Sequence, residues 1–134
     1  MKRNDLDIKI KSVCHNLRYK QGYISSISVL KELDYLTNDK INEWKKGKIP
    51  YLEKVCIVNL ATLSFINKTI RKYANELKLK NSLTDYRKIG KGNKEKLIFS
   101  KSANKNIEIA YSTHYIDKER INELKNKDKS IKKQ

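Results

Sequence analysis

A regular apolar pattern between Leu52 and Leu77 constrains the fold more than any other feature of the sequence. Eight residues recur there at alternating spacings of four and three, all apolar except one asparagine: Leu52, Cys56, Asn59, Leu63, Ile66, Ile70, Tyr73 and Leu77. This spacing is typical of one face of an α-helix, and Pro50 suits the first position of a helix. The sequence therefore predicts a long central helix over about residues 50–79.

Two roles are open for this predicted helix. Its wide apolar face in the first half fits the central core helix of a monomer. The same 4-3 spacing also permits a seam between two helices, in which a single polar residue such as Asn59 often fixes the register. A homodimer through these eight residues is therefore the alternative.

Three shorter helices are predicted before residue 50. Residues 5–18 fit a helical face better than a strand, although their start is ambiguous. Ser25 or Ser26 can cap a second short helix. Thr37 can cap a third helix, which Gly47 is well placed to end.

The sequence pattern changes after residue 80. Residues 84–89 and 96–100 resemble short strands, and the Gly-Lys-Gly-Asn stretch between them is typical of a turn, so a β-hairpin is predicted. Residues 106–116 fit either a strand or a helix, and residues 116–124 fit a helix. The lysine-rich residues 125–134 are expected to be disordered.

These patterns predict a mainly α fold with a small β-hairpin. Residues 1–80 form a helical domain that contains the long helix. Residues 81–124 add the hairpin and a C-terminal helix to the same core, and the basic tail follows.

The net charge points to a polyanionic partner. The chain has 31 Lys and Arg against 15 Asp and Glu, a formal charge of +16, and the excess is distributed along its length. Such a distribution suits a folded body whose positive face neutralises phosphates. Nucleic acid is the predicted partner, with DNA preferred over RNA.

Other protein classes fit poorly. A membrane span needs ~18 consecutive apolar residues, and the longest candidate segment, Val55–Ile66, is shorter and contains Asn59. Two cysteines are too few for a disulfide scaffold. With no apolar signal segment near the start, a cytoplasmic protein without membrane contact is expected.

The most specific motif is Leu-Thr-Asn-Asp-Lys-Ile-Asn-Glu-Trp-Lys-Lys-Gly-Lys-Ile-Pro, residues 36–50. An Ile and a Trp three residues apart are followed by Gly-Lys and then by a proline. This resembles the second half of the helix-turn-helix in the Cro/C1-repressor-like class of DNA-binding proteins, over about residues 26–55. Lys31 and Tyr35 stand where that class usually has a small residue and a glycine. The resemblance implies a transcription regulator or an accessory protein of a mobile element.

Residues on the outer face of the predicted third helix are candidate DNA contacts. If Ile41 and Trp44 anchor this helix inward, Asn38, Asp39 and Asn42 face outward, and asparagine can pair bidentately with adenine. The predicted phosphate contacts are the lysines of this helix and its end together with the basic residues of the hairpin: Lys40, Lys45, Lys46, Lys48, Arg87, Lys88, Lys91, Lys94 and Lys96. The alternatives are an ordinary corner between two helices and a solvated hairpin.

Catalysis is the second hypothesis. His114, with Glu108 and the neighbouring hydroxyls of residues 112–115, could cleave RNA by general acid–base chemistry, although a histidine satisfied by packing fits the same pattern. The two histidines and two cysteines lack zinc-ligand spacing, so neither metal nor cofactor is predicted. The third hypothesis is a basic RNA-binding or inhibitor protein without sequence readout.

Overall fold

A computed structural model of the chain describes the backbone of residues 2–132 and the side chains of residues 2–127. This part is mainly helical with a small antiparallel sheet, which confirms the predicted fold class. Its elements are, in order, α1 (Arg3–Gln21), β1 (Tyr23–Ile24), α2 (Ser26–Glu32), α3 (Asn38–Lys45), a 3-10 helix (Leu52–Val55), α4 (Leu60–Glu76), β2 (Lys80–Leu83), α5 (Lys105–Ser112), β3 (Thr113–Ile116) and α6 (Lys118–Lys132).

Caps mark the end of α1 and the predicted starts of α2 and α3. Gly22 ends α1 in a left-handed conformation, with φ of 78°. The Ser25 hydroxyl accepts the Ser28 amide at 3.1 Å at the start of α2. The Thr37 hydroxyl accepts the Lys40 amide at 3.3 Å at the start of α3. Each side chain satisfies an amide that has no partner within its helix.

The predicted single helix over residues 50–79 is wrong. A 3-10 turn forms first, the chain is extended at Cys56, and α4 begins only at Leu60. The Asn59 side chain accepts the Thr62 amide at 2.8 Å, so it caps α4. The interruption is held by the Ile57 amide, which donates to the Tyr35 carbonyl at 2.9 Å.

Half of the apolar pattern of residues 52–77 is enclosed in the core of the chain. Leu52, Leu63, Ile66 and Ile70 are each no more than 1% exposed, and α4 packs against α1. A second copy cannot reach side chains that are already enclosed. These four residues therefore act as core residues within the chain, and a seam through all eight residues finds no support in the structure.

The sheet has β3 in the centre, with antiparallel β1 and β2 on either side. Tyr23 and Lys80 both lie opposite Ile116, and Leu83 lies opposite Thr113. Residues 106–116 thus contain both structures that the sequence left open, because α5 changes into β3 at Thr113.

In place of the predicted hairpin, the structure has a loop closed by one isolated antiparallel β-bridge. Arg87 pairs with Lys96, and the Lys88 amide donates to the Glu95 carbonyl at 2.9 Å. We call residues 87–96 the basic loop. The flanking segments run antiparallel here, but neither forms a named strand of the length that the sequence predicted.

The C-terminal segment also differs from the prediction. Residues 125–132, expected to be disordered, continue α6, and residues 133–134 lie outside the described part. At its start, Asp117 accepts the Arg120 amide at 3.0 Å and the Arg18 guanidinium at 3.2 Å. These contacts join the end of α1 to the start of α6. None of the described helices is long and apolar enough to cross a membrane.

Candidate nucleic-acid interface

The orientation of α3 is fixed by two buried side chains. Ile41 is 7% exposed and Trp44 is fully buried. The indole Nε1 of Trp44 donates to the Ile98 carbonyl at 2.8 Å, and its ring centroid lies 4.9 Å from that of Phe99. A hydrogen bond on a large buried ring limits both rotation and sliding of the helix, so the anchoring that the sequence predicted is present.

The predicted base-contacting residues lie on the exposed part of this helix. Asn38, Asp39 and Asn42 are all exposed. Lys40 is exposed too, but its ammonium pairs with the Glu43 carboxylate at 3.3 Å. The three base-contact candidates therefore share an accessible surface near the helix start, and Lys40 already has a partner.

The turn between α2 and α3 has an aspartate at a position of positive φ. Asp34 adopts a left-handed conformation with φ of 63°. Its amide donates to the Lys31 carbonyl, and the Tyr35 amide donates to the Leu30 carbonyl, both at 3.0 Å. Asp tolerates this conformation better than most residues. The presence of an aspartate at position 34 was therefore the sequence feature from which this turn could have been predicted.

The end of α3 is closed by a glycine as predicted. Gly47 has φ of 79°, its amide donates to the Trp44 carbonyl, and the Lys48 amide donates to the Glu43 carbonyl, both at 3.0 Å. Lys46 and Lys48 are exposed beside this end and Lys45 is half-buried. Cations here also complement the negative end of the helix dipole.

The basic loop is bonded directly to the end of α3. The Ile89 amide donates to the Lys45 carbonyl at 2.9 Å. Lys88 packs so closely on Gly47 that a Cβ atom added to the glycine would lie 2.6 Å from the lysine Cε. Two groups of predicted phosphate contacts, some forty residues apart in sequence, are thus brought together. Nothing in the sequence pattern predicts this contact.

Some cations of the basic loop also shape it. Arg87 pairs with Asp85 at 2.6 Å and donates to the Lys94 carbonyl at 3.0 Å. The Lys94 ammonium donates to the Gly90 carbonyl at 3.0 Å. Lys91 and Lys96 are exposed and take no part in the ion pairs recorded among the described residues.

The helix α3, its end and the segment of the basic loop carry an excess of positive charge. Residues 38–48 and 85–96 together contain the nine predicted phosphate contacts and four acidic residues, Asp39, Glu43, Asp85 and Glu95. Two of those acids are already neutralised, by Lys40 and Arg87. The local excess can therefore attract phosphates at short range.

The proposed catalytic pair of His114 and Glu108 is not assembled. The Glu108 carboxylate accepts the amides of Phe99 and Ser100 at 2.7 and 2.9 Å, and the Ser100 hydroxyl at 2.6 Å. It therefore holds the chain before α5 in place.

His114 lies between two tyrosines. Its ring stacks on Tyr23 with centroids 5.2 Å apart, and its Nε2 is 2.6 Å from the Tyr86 hydroxyl. Burial lowers the pKa of His114 and raises the pKa of Tyr86 to about 12. One stacked ring and one hydrogen bond therefore hold the imidazole in place.

The described residues include no group of three His, Cys, Asp or Glu side chains placed to hold a metal ion. Burial raises the pKa of both thiols, Cys14 and Cys56, to about 12. The thiolate, which is the form that binds metals and attacks electrophiles, is disfavoured in both.

Comparisons with family models, with curated proteins and with solved structures found no match to this chain.

Proposed function

We propose that this protein binds DNA, with α3 in the major groove and the basic loop on the adjoining backbone, as a cytoplasmic regulator or an accessory protein of a mobile element. The observation that carries the proposal is the hydrogen bond between the Ile89 amide and the Lys45 carbonyl. It places the basic loop beside the end of the helix whose exposed residues include Asn38 and Asn42.

The start of α3 supports base readout. In helix-turn-helix proteins the first residues of the second helix reach the base edges, and here those residues are Asn38, Asp39 and Asn42. Asparagine matches adenine, and aspartate can accept from the amino group of cytosine. An α-helix with its side chains is about 10–12 Å across, which matches the width of the major groove, about 12 Å.

The lysines beyond the helix support contact with the backbone. Lys46, Lys48, Lys91 and Lys96 are exposed and can neutralise phosphates on either side of the helix. Such contacts position a protein on DNA without reading its sequence. We propose a binding role and no catalytic one, since the carboxylate of Glu108 is engaged elsewhere.

Selection from a pool of random DNA duplexes at ~150 mM salt tests the proposal, since non-specific binding is weak there. A preferred sequence is expected to emerge. Asn42→Ala should lose about 1–3 kcal/mol of discrimination at one base pair, whereas Lys46→Ala should weaken binding to all sequences alike. Asn75→Ala is the matched control, since Asn75 is exposed near the end of α4.

Three results would contradict it. If the protein binds DNA tightly but no sequence is enriched in the pool, it is a basic protein that does not read sequence. Preference for RNA over the selected duplex indicates an RNA-binding protein. Cleavage of nucleic acid by the wild type, abolished in His114→Ala, indicates the ribonuclease hypothesis.

A further inference from the structure

An open groove of about 780 Å³ runs between α4 and α5, outside the candidate nucleic-acid interface. Leu60 and Ser64 line it on α4, and Ile107 and Ala110 line it on α5. Tyr111, only 1% exposed, lies at its base and donates to the Glu53 carboxylate at 2.7 Å. Two helices that already pack on the core therefore form the walls of this groove.

Its walls expose aliphatic side chains to solvent. Leu60 is 60% exposed and Ile107 is 41% exposed. Adjoining apolar surface left in water is typical of an interaction site. These side chains are branched aliphatics, whereas binding to unpaired bases depends on exposed aromatic rings. The apolar part of the groove thus suits protein side chains better than nucleic acid.

The rim of the groove is positively charged. Lys68 and Arg71 on α4 and Lys101 beside α5 are exposed, and none belongs to the ion pairs recorded among the described residues. The one carboxylate of the lining, Glu53, already accepts the Tyr111 hydroxyl and the Lys101 amide. A second copy of the chain, which also carries +16, would be repelled. An acidic partner would be attracted.

We propose that this groove binds an acidic amphipathic helix of another protein. The aliphatic side chains of that helix, spaced about one turn apart, would contact Leu60 and Ile107, and its carboxylates would pair with Lys68 and Arg71. Helices that bind in grooves use anchors at such spacings. Charge pairs at the rim add specificity and speed of association.

The test is a selection with the full chain as the target. A random peptide library long enough for about four helical turns is displayed, and enriched peptides are labelled for fluorescence anisotropy. We expect negatively charged peptides with aliphatic residues at helical spacing. Ala110→Arg, which fills the groove, and Lys68→Glu, which reverses its rim charge, should each weaken binding about tenfold or more. Lys72→Glu is the control. It makes the same charge change on the same helix away from the lining, and at ~150 mM salt its effect should stay within about twofold.

The proposal is overturned if no peptide is enriched, or if the enriched peptides lack acidic and aliphatic residues at helical spacing. It is also overturned if Lys68→Glu and Lys72→Glu weaken binding equally. Displacement of the peptide by a short DNA duplex or by anionic lipid vesicles, lost in Lys68→Glu, would assign the groove to one of those partners.

Discussion

At the scale of the residue, Trp44 links the core to the candidate interface. Its indole packs on Phe99 and bonds to the Ile98 carbonyl, so the helix that presents Asn42 is held by the segment that follows the basic loop. A change in that segment should therefore shift α3. The Ile–Trp spacing was enough to predict that Trp44 is buried, but its hydrogen-bond partner lies 54 residues away.

Gly47 is expected to be intolerant of a side chain for reasons of backbone conformation. Because its φ is 79°, Gly47→Ala should lower the free energy of unfolding by about 1–2 kcal/mol, measured by urea denaturation. Most of that loss should persist when Lys88→Ala is added, since the long lysine side chain can move away from the new Cβ. Full recovery in the double variant would mean that the clash with Lys88 dominates.

His114 should make stability fall in mild acid. Its pKa is lowered by burial in the folded protein, so the unfolded chain takes up the proton first as the pH falls below about 6.5. Stability contributed by the neutral ring is present above that pH and is lost as the pH falls toward the lowered value.

Comparing wild type with His114→Gln by chemical denaturation measures this contribution. The wild type should lose up to about 1.4 kcal/mol per pH unit more than the variant below pH ~6.5. Parallel pH profiles for the two proteins would show that His114 does not titrate differently on unfolding.

At the scale of the element, helix caps were readable from sequence, whereas the break in the central helix was not. Thr37 and Gly47 form their capping hydrogen bonds with residues three positions away. The sequence close to each residue was therefore enough to predict these caps. Leu52 and Leu63 are both core residues, and their spacing fits one continuous helix although a 3-10 turn and an extended segment separate them. The break is held by the hydrogen bond from the Ile57 amide to the Tyr35 carbonyl. The spacing of apolar residues along the sequence cannot predict such a bond, because its partners lie far apart in the chain.

Asn59 should behave as a cap and not as a polar residue in a seam. Asn59→Ala should cost about 1 kcal/mol in the free energy of unfolding, and Asn59→Asp should cost only a few tenths, because aspartate accepts the same amide. Asn59→Leu distinguishes the two roles. It should destabilise the protein, whereas it would stabilise a continuous apolar seam.

The small sheet and the joined interface depended on contacts between distant residues. β1 and β2 are two and four residues long, too short for alternation to be visible in the sequence. The turn at Gly90 was recognisable, but the docking of Ile89 on Lys45 was not. The structure places Lys88 against Gly47, and it also shows that Lys40 and Arg87 are already paired with acidic neighbours.

At the scale of the whole molecule, DNA binding should depend steeply on salt. Seven of the nine candidate cations lie outside the ion pairs of the described residues. If each of them neutralises one phosphate, a plot of log binding constant against log salt concentration has a slope of about −6, which is the steepest slope expected. Anisotropy titrations with a duplex over ~50–200 mM salt measure it. Lys46→Ala should make the slope shallower by about 1, and Lys9→Ala, on α1, should not. A wild-type slope shallower than about −2 would mean that most of these lysines contact no phosphate.

The strand order of the sheet determines when the protein can take its shape during synthesis. β3 lies between β1 and β2, and its residues 113–116 are translated after both of them. Until they leave the ribosome, Tyr23 and Lys80 have no strand to pair with, and the nascent chain has neither its sheet nor the junction of Arg18 with Asp117. The sheet and this junction can therefore form only after β3 and the start of α6 have been synthesised.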